Sequence, residues 1–319
     1  PRFQLSKEGK NVVVIMLDRA IGQYAPYIFN ERPELKETFD GFKYYSNTIS
    51  YGGSTNFGVP ALLGGYEYTP VEMNKRDTES LVSKHNEALK VMPVLFSQNG
   101  YNVTVCDPTY ANYNWIPDLS IYDDYPEINT YITKGLFCED EQKQNLIVAN
   151  RRNFFCFSLM KCMPLTIQPT IYQNGKYRIT YSMGETNYSN QVTSGLSVAK
   201  GYGKNFMEAY DTLCNLSTMS VVTNKNENNF LFITNDTTHD PILLQEPDYT
   251  PAYEVDNRLY DEENSNRFTV DGKTLIVSDA THMAHYHSNM AALIQIGNWL
   301  EYLKENDVYD NTRIIIVSD

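Results

Sequence analysis

Four short, almost uninterrupted apolar runs constrain this chain more than any other feature. Asn11–Leu17 (NVVVIML) is rich in β-branched residues, too short for a core helix and bounded by polar residues. Such a run is the mark of a strand covered on both faces, and strands of that kind lie in parallel sheets with helices above and below. Tyr101–Cys106 (YNVTVC), Asn229–Thr234 (NFLFIT) and Arg313–Val317 (RIIIV) repeat the pattern. Helical periodicity fills the spaces between them, as in His85–Gln98, which closes at Asn99-Gly100. The expectation is an α/β fold: a mixed, mostly parallel central sheet flanked by helices.

The remaining segments are read more coarsely. Pro33–Asp40 is expected to form a short helix, and Phe42–Ile49 (FKYYSNTI) has strand character. Asp107–Tyr131, with Trp115, reads as a loop able to wall a pocket. About residues 132–225 the chain looks like an α+β insertion, with helices at Gln142–Phe157 and Asn205–Val222 and hairpin-like alternation over Ile167–Thr186. Phe268–Val277 suggests an outlying hairpin, and Met290–Asn306 a packed helix. RIIIV reads as a buried strand and the sequence stops two residues later, from which we expect one domain, 1–319, cut from a longer protein.

Composition narrows the partners. The 319 residues include 42% hydrophobic ones, yet no run approaches the roughly 18 apolar residues of a membrane span. A net charge of −13, from 26 basic and 39 acidic residues, argues against nucleic acid held by phosphate neutralisation. Tyrosine is abundant, at 25 residues, which fits a Tyr-rich sheet protein as well as a surface for polar ligands. The five cysteines lack a CxxC spacing and read as thiols, with one bridge conceivable among Cys138, Cys156 and Cys162.

In open α/β sheets ligands collect at the carboxyl ends of strands. Three residues stand there: Asp18 after the first run, His239 just beyond the third, and Asp319 after the last. Tyr51–Gly65 (YGGSTNFGVPALLGG) sets Ser54 and Thr55 behind two glycines and before a helix containing Pro60. A hydroxyl so placed caps a helix or is exposed as a nucleophile, and the helix N-terminus favours an anion such as phosphate. His282, His285 and His287 precede the last helix. In an extended segment His285 and His287 share a side, which permits a metal site, but no carboxylate or cysteine completes the set, and orienting a substrate or capping the helix is the better reading.

Four blocks carry a resemblance: the strand ending in MLD at Asp18, TNFGVPALLGG from Thr55, FITNDTTHDP at His239, and YLKENDVYDNTRIIIVSD ending at Asp319. Together they resemble, in order, the alkaline phosphatase and sulfatase superfamily, in particular the membrane-anchored branch of lipoteichoic acid synthases (phosphoglycerol transferases) and phosphoethanolamine transferases. The resemblance implies an alkaline phosphatase-like sheet. It makes Thr55 both nucleophile and metal ligand, Asp18 and Asp319 further ligands, and His239, Arg19 and Asn56 substrate contacts. It also implies a divalent metal, Mn²⁺ first, with Zn²⁺ or Mg²⁺ as alternatives. The substrate would be a phospholipid or envelope polymer at the outer face of a bacterial membrane, with the anchor in helices outside this segment. The family's next ligand is a His directly after the last Asp, where this sequence ends. Arg19 beside the first ligand and Leu293 in place of a frequent acid depart from the pattern. Sulfatases need a Cys or Ser in a Cys-x-Pro-x-Arg setting, and no Cys or Arg lies between Tyr51 and Gly65, so sulfate ester or soluble phosphodiester hydrolysis stands second. A silent relative that binds an anionic polymer is the alternative of another class.

Overall fold

The computed structural model describes residues 1–137, 151, 153–172 and 190–319. Its strands are β1 (Phe3–Ser6), β2 (Asn11–Leu17), β3 (Tyr101–Cys106), β4 (Ile128–Tyr131), β5 (Gln191–Ser194), β6 (Val198–Lys200), β7 (Ser220–Thr223), β8 (Asn228–Asn235), β9 (Glu254–Asp256), β10 (Thr269–Val270), β11 (Lys273–Thr274) and β12 (Thr312–Val317). Five of them form the central sheet in the order β12-β2-β8-β3-β4, every pair parallel. All five carboxyl ends therefore meet along one edge.

The apolar runs explain the layers. In β2, Val13, Ile15 and Leu17 join the core on one face, while Val14 and Met16 join the core on the other. This is the two-residue period of a strand covered on both sides. The first face carries the long helix Ala280–Glu305 through Met290, Ile296, Trp299, Leu300 and Leu303, together with α1 (Ala25–Glu31) and α2 (Glu34–Thr38). The opposite face carries α3 (Thr55–Gly64) and α5 (Leu81–Gln98), linked by α4 (Pro70–Lys75). Full burial of each large side chain is worth about 1.5–3 kcal/mol. The stretch read as an insertion contributes Phe206, Tyr210 and Leu213 of helix Lys204–Cys214 to the first of these cores.

Several local expectations are corrected. Phe42–Ile49 is not a strand: it is exposed almost throughout, and Tyr44 is tied to the Gly22 carbonyl rather than to a ladder. Asp107–Tyr131 is not all loop, because Ile128–Tyr131 pairs with β3 as the outermost strand. The helix expected to reach Val222 breaks at Asn215, whose side chain folds back on the Asp211 carbonyl; a short helix, Leu216–Met219, follows, and Val221 and Val222 then pair with β1 as part of β7. The last helix begins at Ala280, capped by Asp279, so His282, His285 and His287 are helical. β12 is an edge strand with Ile315 exposed, not a buried one. Ile167–Thr186 opens with helix Gln168–Tyr172; its remainder, Cys138 and most of Gln142–Phe157 lie outside the described residues. Among the described residues no helix is long and apolar enough to cross a membrane.

Behind the sheet's working edge lies a buried ionic network. Arg267 donates to Glu246 at 2.9 Å and to Asp261 at 2.5 Å, and lies 3.5 Å from Glu31. Glu31 accepts from the Tyr249, Tyr260 and Tyr286 hydroxyls, and His287 Nε2 lies 3.2 Å from Glu246. Arg267 is the cation that lets two buried glutamates stay there. Arg267→Met is expected to cost about 3–5 kcal/mol in urea unfolding, since it strands carboxylates away from water. The double variant Arg267→Met/Glu246→Gln recovers part of that loss; an unchanged midpoint in the single variant contradicts this account.

Candidate functional site

Parallel strands deliver aspartates to one edge. Asp18 follows β2, Asp107 follows β3, Asp236 follows β8, and Asp319 lies two residues beyond β12. Thr55 is the first residue of α3 and is buried, whereas its neighbour Ser54 is exposed. The Thr55 hydroxyl lies 3.4 and 3.5 Å from the two Asp18 carboxylate oxygens. Of the hydroxyl pair, it is therefore Thr55 that meets the carboxylate. The close approach of α3 depends on Gly58, where a Cβ would stand 2.4 Å from the Asp319 carbonyl oxygen. Ser54 makes no side-chain cap bond, so the positive end of this helix is left to face the site.

Arg19 links the other parts. Its φ of 59° is left-handed, an uncommon state for a residue with a side chain. That turn aims its backbone N–H at Asp319 Oδ1, at 2.8 Å, while its guanidinium reaches the His239 carbonyl at 3.4 Å. His239 pairs with Asp240 at 3.5 Å. Hydrogen bonding to Asp240 raises the imidazole above its ordinary value against the effect of burial, and Asp18 adds to the rise. Asn56 follows Thr55, and its side-chain oxygen is buried without a partner among the described residues. Asp18, Arg19, Thr55, Asn56, His239 and Asp319 thus all belong to, or border, one edge.

Asp18 carries the electrostatic tension. Burial, then Asp319, then Asp236 push its carboxyl from an ordinary 3.8 to about 7, with His239 and the Thr55 contact pulling the other way. The other acids are better compensated. Asp107 accepts the Thr133 N–H at 2.9 Å and bonds its hydroxyl, although burial still lifts it to about 6. Asp236 holds Lys134 at 2.5 Å.

Trp115 lies in the segment expected to wall a pocket, whereas Lys134, Asp107 and Asp236 were not singled out from sequence. Lys134 Nζ lies 5.1 Å from the Trp115 ring centre, and Trp115 meets His239 edge-on at 6.5 Å. Asp107, Tyr110, Asn112 and Tyr113 all have positive φ, a concentration of local strain in the loop after β3. The strand-end position that marks Asp18 also marks Asp107 and Asp236, and would have found them. The three histidines diverge on their helix. His282 pairs with Ser278 and Asp279 in solvent, His287 joins the Arg267 network, and His285 faces Arg19 and His239. Burial, then Arg19, lowers His285 to about 4, and its Nδ1 is buried without a partner among the described residues. The shared-face metal geometry fails because the segment is a helix rather than extended.

Among the described residues no three His, Cys, Asp or Glu side chains converge as metal ligands. Asp18, Asp319 and the Thr55 hydroxyl are a partial set, and the crowding that raises Asp18 is what a cation would relieve. Oxygen donors of this kind suit a hard divalent ion such as Mn²⁺ or Mg²⁺ better than Zn²⁺. Comparison with family models, with curated proteins and with solved structures finds no match.

With divalent cations chelated, the raised Asp18 gives a signed expectation. Folded Asp18 holds its proton up to about pH 7 and unfolded Asp18 to about 3.8, so folding takes up a proton between these values. Stability therefore falls as pH rises from about 4 to about 7. Asp18→Asn should exceed the parent chain at about pH 8 by on the order of 4 kcal/mol, with no advantage at about pH 3.5, in denaturant titrations. Added Mn²⁺ should raise the parent's melting temperature at pH 8 and leave that of Asp18→Asn unchanged.

Proposed function

We propose that this chain is the catalytic part of an alkaline phosphatase/sulfatase-like enzyme, close in kind to lipoteichoic acid synthases and phosphoethanolamine transferases. It transfers or hydrolyses phosphodiester-linked groups, phosphoglycerol or phosphoethanolamine, through Thr55. The observation that carries the reading is the Thr55 hydroxyl at the head of α3, within 3.4 Å of a buried carboxylate that already competes with its neighbours for charge. The parallel sheet and the placement of all six expected residues along its carboxyl edge support it.

The chemistry assigned to these residues is a double displacement. Thr55 Oγ1 attacks phosphorus, and its proton passes to the Asp18 carboxylate, whose oxygens lie 3.4 and 3.5 Å from the hydroxyl. The new bond is Oγ1–P; the bond that breaks is P–O to the leaving alcohol, which takes a proton from His239. The positive end of α3 and the Arg19 guanidinium hold the phosphate oxygens. An acceptor hydroxyl or water then attacks the phosphothreonine; His239 takes its proton, the Oγ1–P bond breaks, and Thr55 leaves as the hydroxyl with the proton returned from Asp18. A divalent cation held by Asp18, Asp319 and Thr55, when bound, lowers the hydroxyl's pKa and neutralises phosphate charge. The substrate is a phospholipid or envelope polymer at the outer face of a bacterial membrane.

The test is mass spectrometry of the chain, and of a version extended past Asp319, after incubation with Mn²⁺ and phosphatidylglycerol or phosphatidylethanolamine. The expected result is an adduct of one phosphoglycerol or phosphoethanolamine on the peptide containing Thr55, absent in Thr55→Ala. An adduct on another residue, or turnover unchanged in Thr55→Ala, overturns the mechanism. Release of sulfate from an aryl sulfate ester by the same chain would favour the sulfatase alternative.

A further inference from the structure

Ser278 and Asp279 hold His282, and the Arg267 network holds His287, which leaves His285 as the histidine of its helix without a partner. The helix Ala280–Glu305 runs back from the carboxyl edge of the sheet towards the start of β12, so its first turns stand at that edge. Two hydrogen bonds dock them there. The Ser288 hydroxyl accepts the N–H of Ile242, three residues after His239, at 3.2 Å, and the Asn289 side chain accepts the N–H of Ile21, two residues after Arg19, at 3.0 Å. His285 precedes this pair by three and four positions, so it shares their face one turn nearer the helix start, and a helical side chain leans towards that start. It is thereby directed at the junction of the two loops, where the Arg19 guanidinium donates to the His239 carbonyl at 3.4 Å.

The residue is 4% exposed, and its Nδ1 is buried with no partner among the described residues. Nε2 likewise bonds no described residue but keeps contact with solvent. Burial, then Arg19, His282 and His239, lower the imidazole to about 4, so at neutral pH the ring carries a single N–H proton. An N–H shut away from any acceptor is costlier than a lone pair left unpaired, which puts that proton on Nε2. The junction thus gathers a guanidinium, the His239 imidazole, raised above its ordinary value, and a second imidazole N–H, while Asp240 is already engaged with His239. Such a set of donors calls for an acceptor, and the acceptor that meets several N–H groups at once is an oxyanion.

We infer that His285 is a further substrate-contacting residue: its Nε2–H, beside the Arg19 guanidinium, donates to an oxygen of the bound phosphoryl group. The identity of the anion rests on the phosphoryl-transfer reading of this edge, whereas the contact is measured without any reaction. An uncharged donor adds a directed hydrogen bond to an oxygen that Arg19 attracts by charge, so it orients the group.

The test is a nitrogen–proton correlation spectrum of the histidine rings in the 319-residue chain, isotope-labelled and titrated at neutral pH with inorganic phosphate. Mg²⁺ is present throughout, because it leaves the lines sharp where Mn²⁺ would not. The His285 signals are those missing from His285→Gln. The expected result is the Nε2–H tautomer before phosphate and a saturable displacement of the Nε2 signal as phosphate is added. By calorimetry, His285→Leu should raise the phosphate Kd about tenfold, and His285→Gln, which keeps an N–H donor, should stay within about threefold of the parent. The Nδ1–H tautomer, an Nε2 signal that phosphate does not move, or equal losses in the Leu and Gln variants each overturn the inference. The first two are read from the parent chain and do not depend on how the variants fold. A displaced His285 signal with no Thr55 adduct supports this contact and counts against the Thr55 chemistry; a Thr55 adduct with an unmoved His285 signal does the reverse.

Discussion

Parallel pairing forces strand ends into register, and in this chain the register brings negative charge together. Asp18, Asp107, Asp236 and Asp319 all lie just past strands of one sheet. Like charges this close destabilise one another unless each finds a donor, a cation or a proton. The local structure reads as a set of answers to that problem. Backbone and hydroxyl donors of Thr133 serve Asp107, the Lys134 ammonium serves Asp236, and the Arg19 N–H serves Asp319. Asp18 receives the Thr55 hydroxyl only at long range, and it carries the largest unresolved tension, seen in its rise to about 7.

That imbalance connects fold to chemistry. In the proposed function, a carboxylate left short of partners beside a buried hydroxyl, at the positive end of a helix, receives what is missing from a cation, a proton or a phosphate with its counter-charge. The backbone strain follows the same line. Arg19 adopts a left-handed turn to aim its amide at Asp319, and the loop after β3 holds four residues at positive φ beside the site. Strain of this kind persists where the surrounding packing fixes it. The Arg19 turn is held from behind by the helix Ala280–Glu305, where Asn289 accepts the Ile21 N–H at 3.0 Å.

The inner strands were legible because burial on both faces leaves a direct trace: uninterrupted apolar runs. β2, β3 and β8 stand where those runs predict, and β12 does too, although as an edge strand it is only partly buried. β4 was not legible, because INTY is short, has two adjacent polar residues at its centre and takes its strand character from pairing with β3. Phe42–Ile49 misled for the converse reason: its aromatic and β-branched residues have high strand propensity, but nothing pairs with them. Asp18, Thr55, His239 and Asp319 were legible as residues at strand or helix ends. What could not be read was which neighbours answer their charges. Lys134 and Trp115 come from distant segments, and the directions of the three histidines depend on whether their segment is helical, which sequence had placed a turn or more too late.

The central claim is that Asp18, Asp319 and Thr55 form one cation-dependent site at the carboxyl edge of the sheet. Its most direct test is a crystal of this chain soaked in millimolar Mn²⁺ and measured at the manganese absorption edge. The account predicts an anomalous peak within about 2.0–2.5 Å of Asp18 and Asp319 carboxylate oxygens and of Thr55 Oγ1. A peak confined to other residues, or none at this edge, would contradict it.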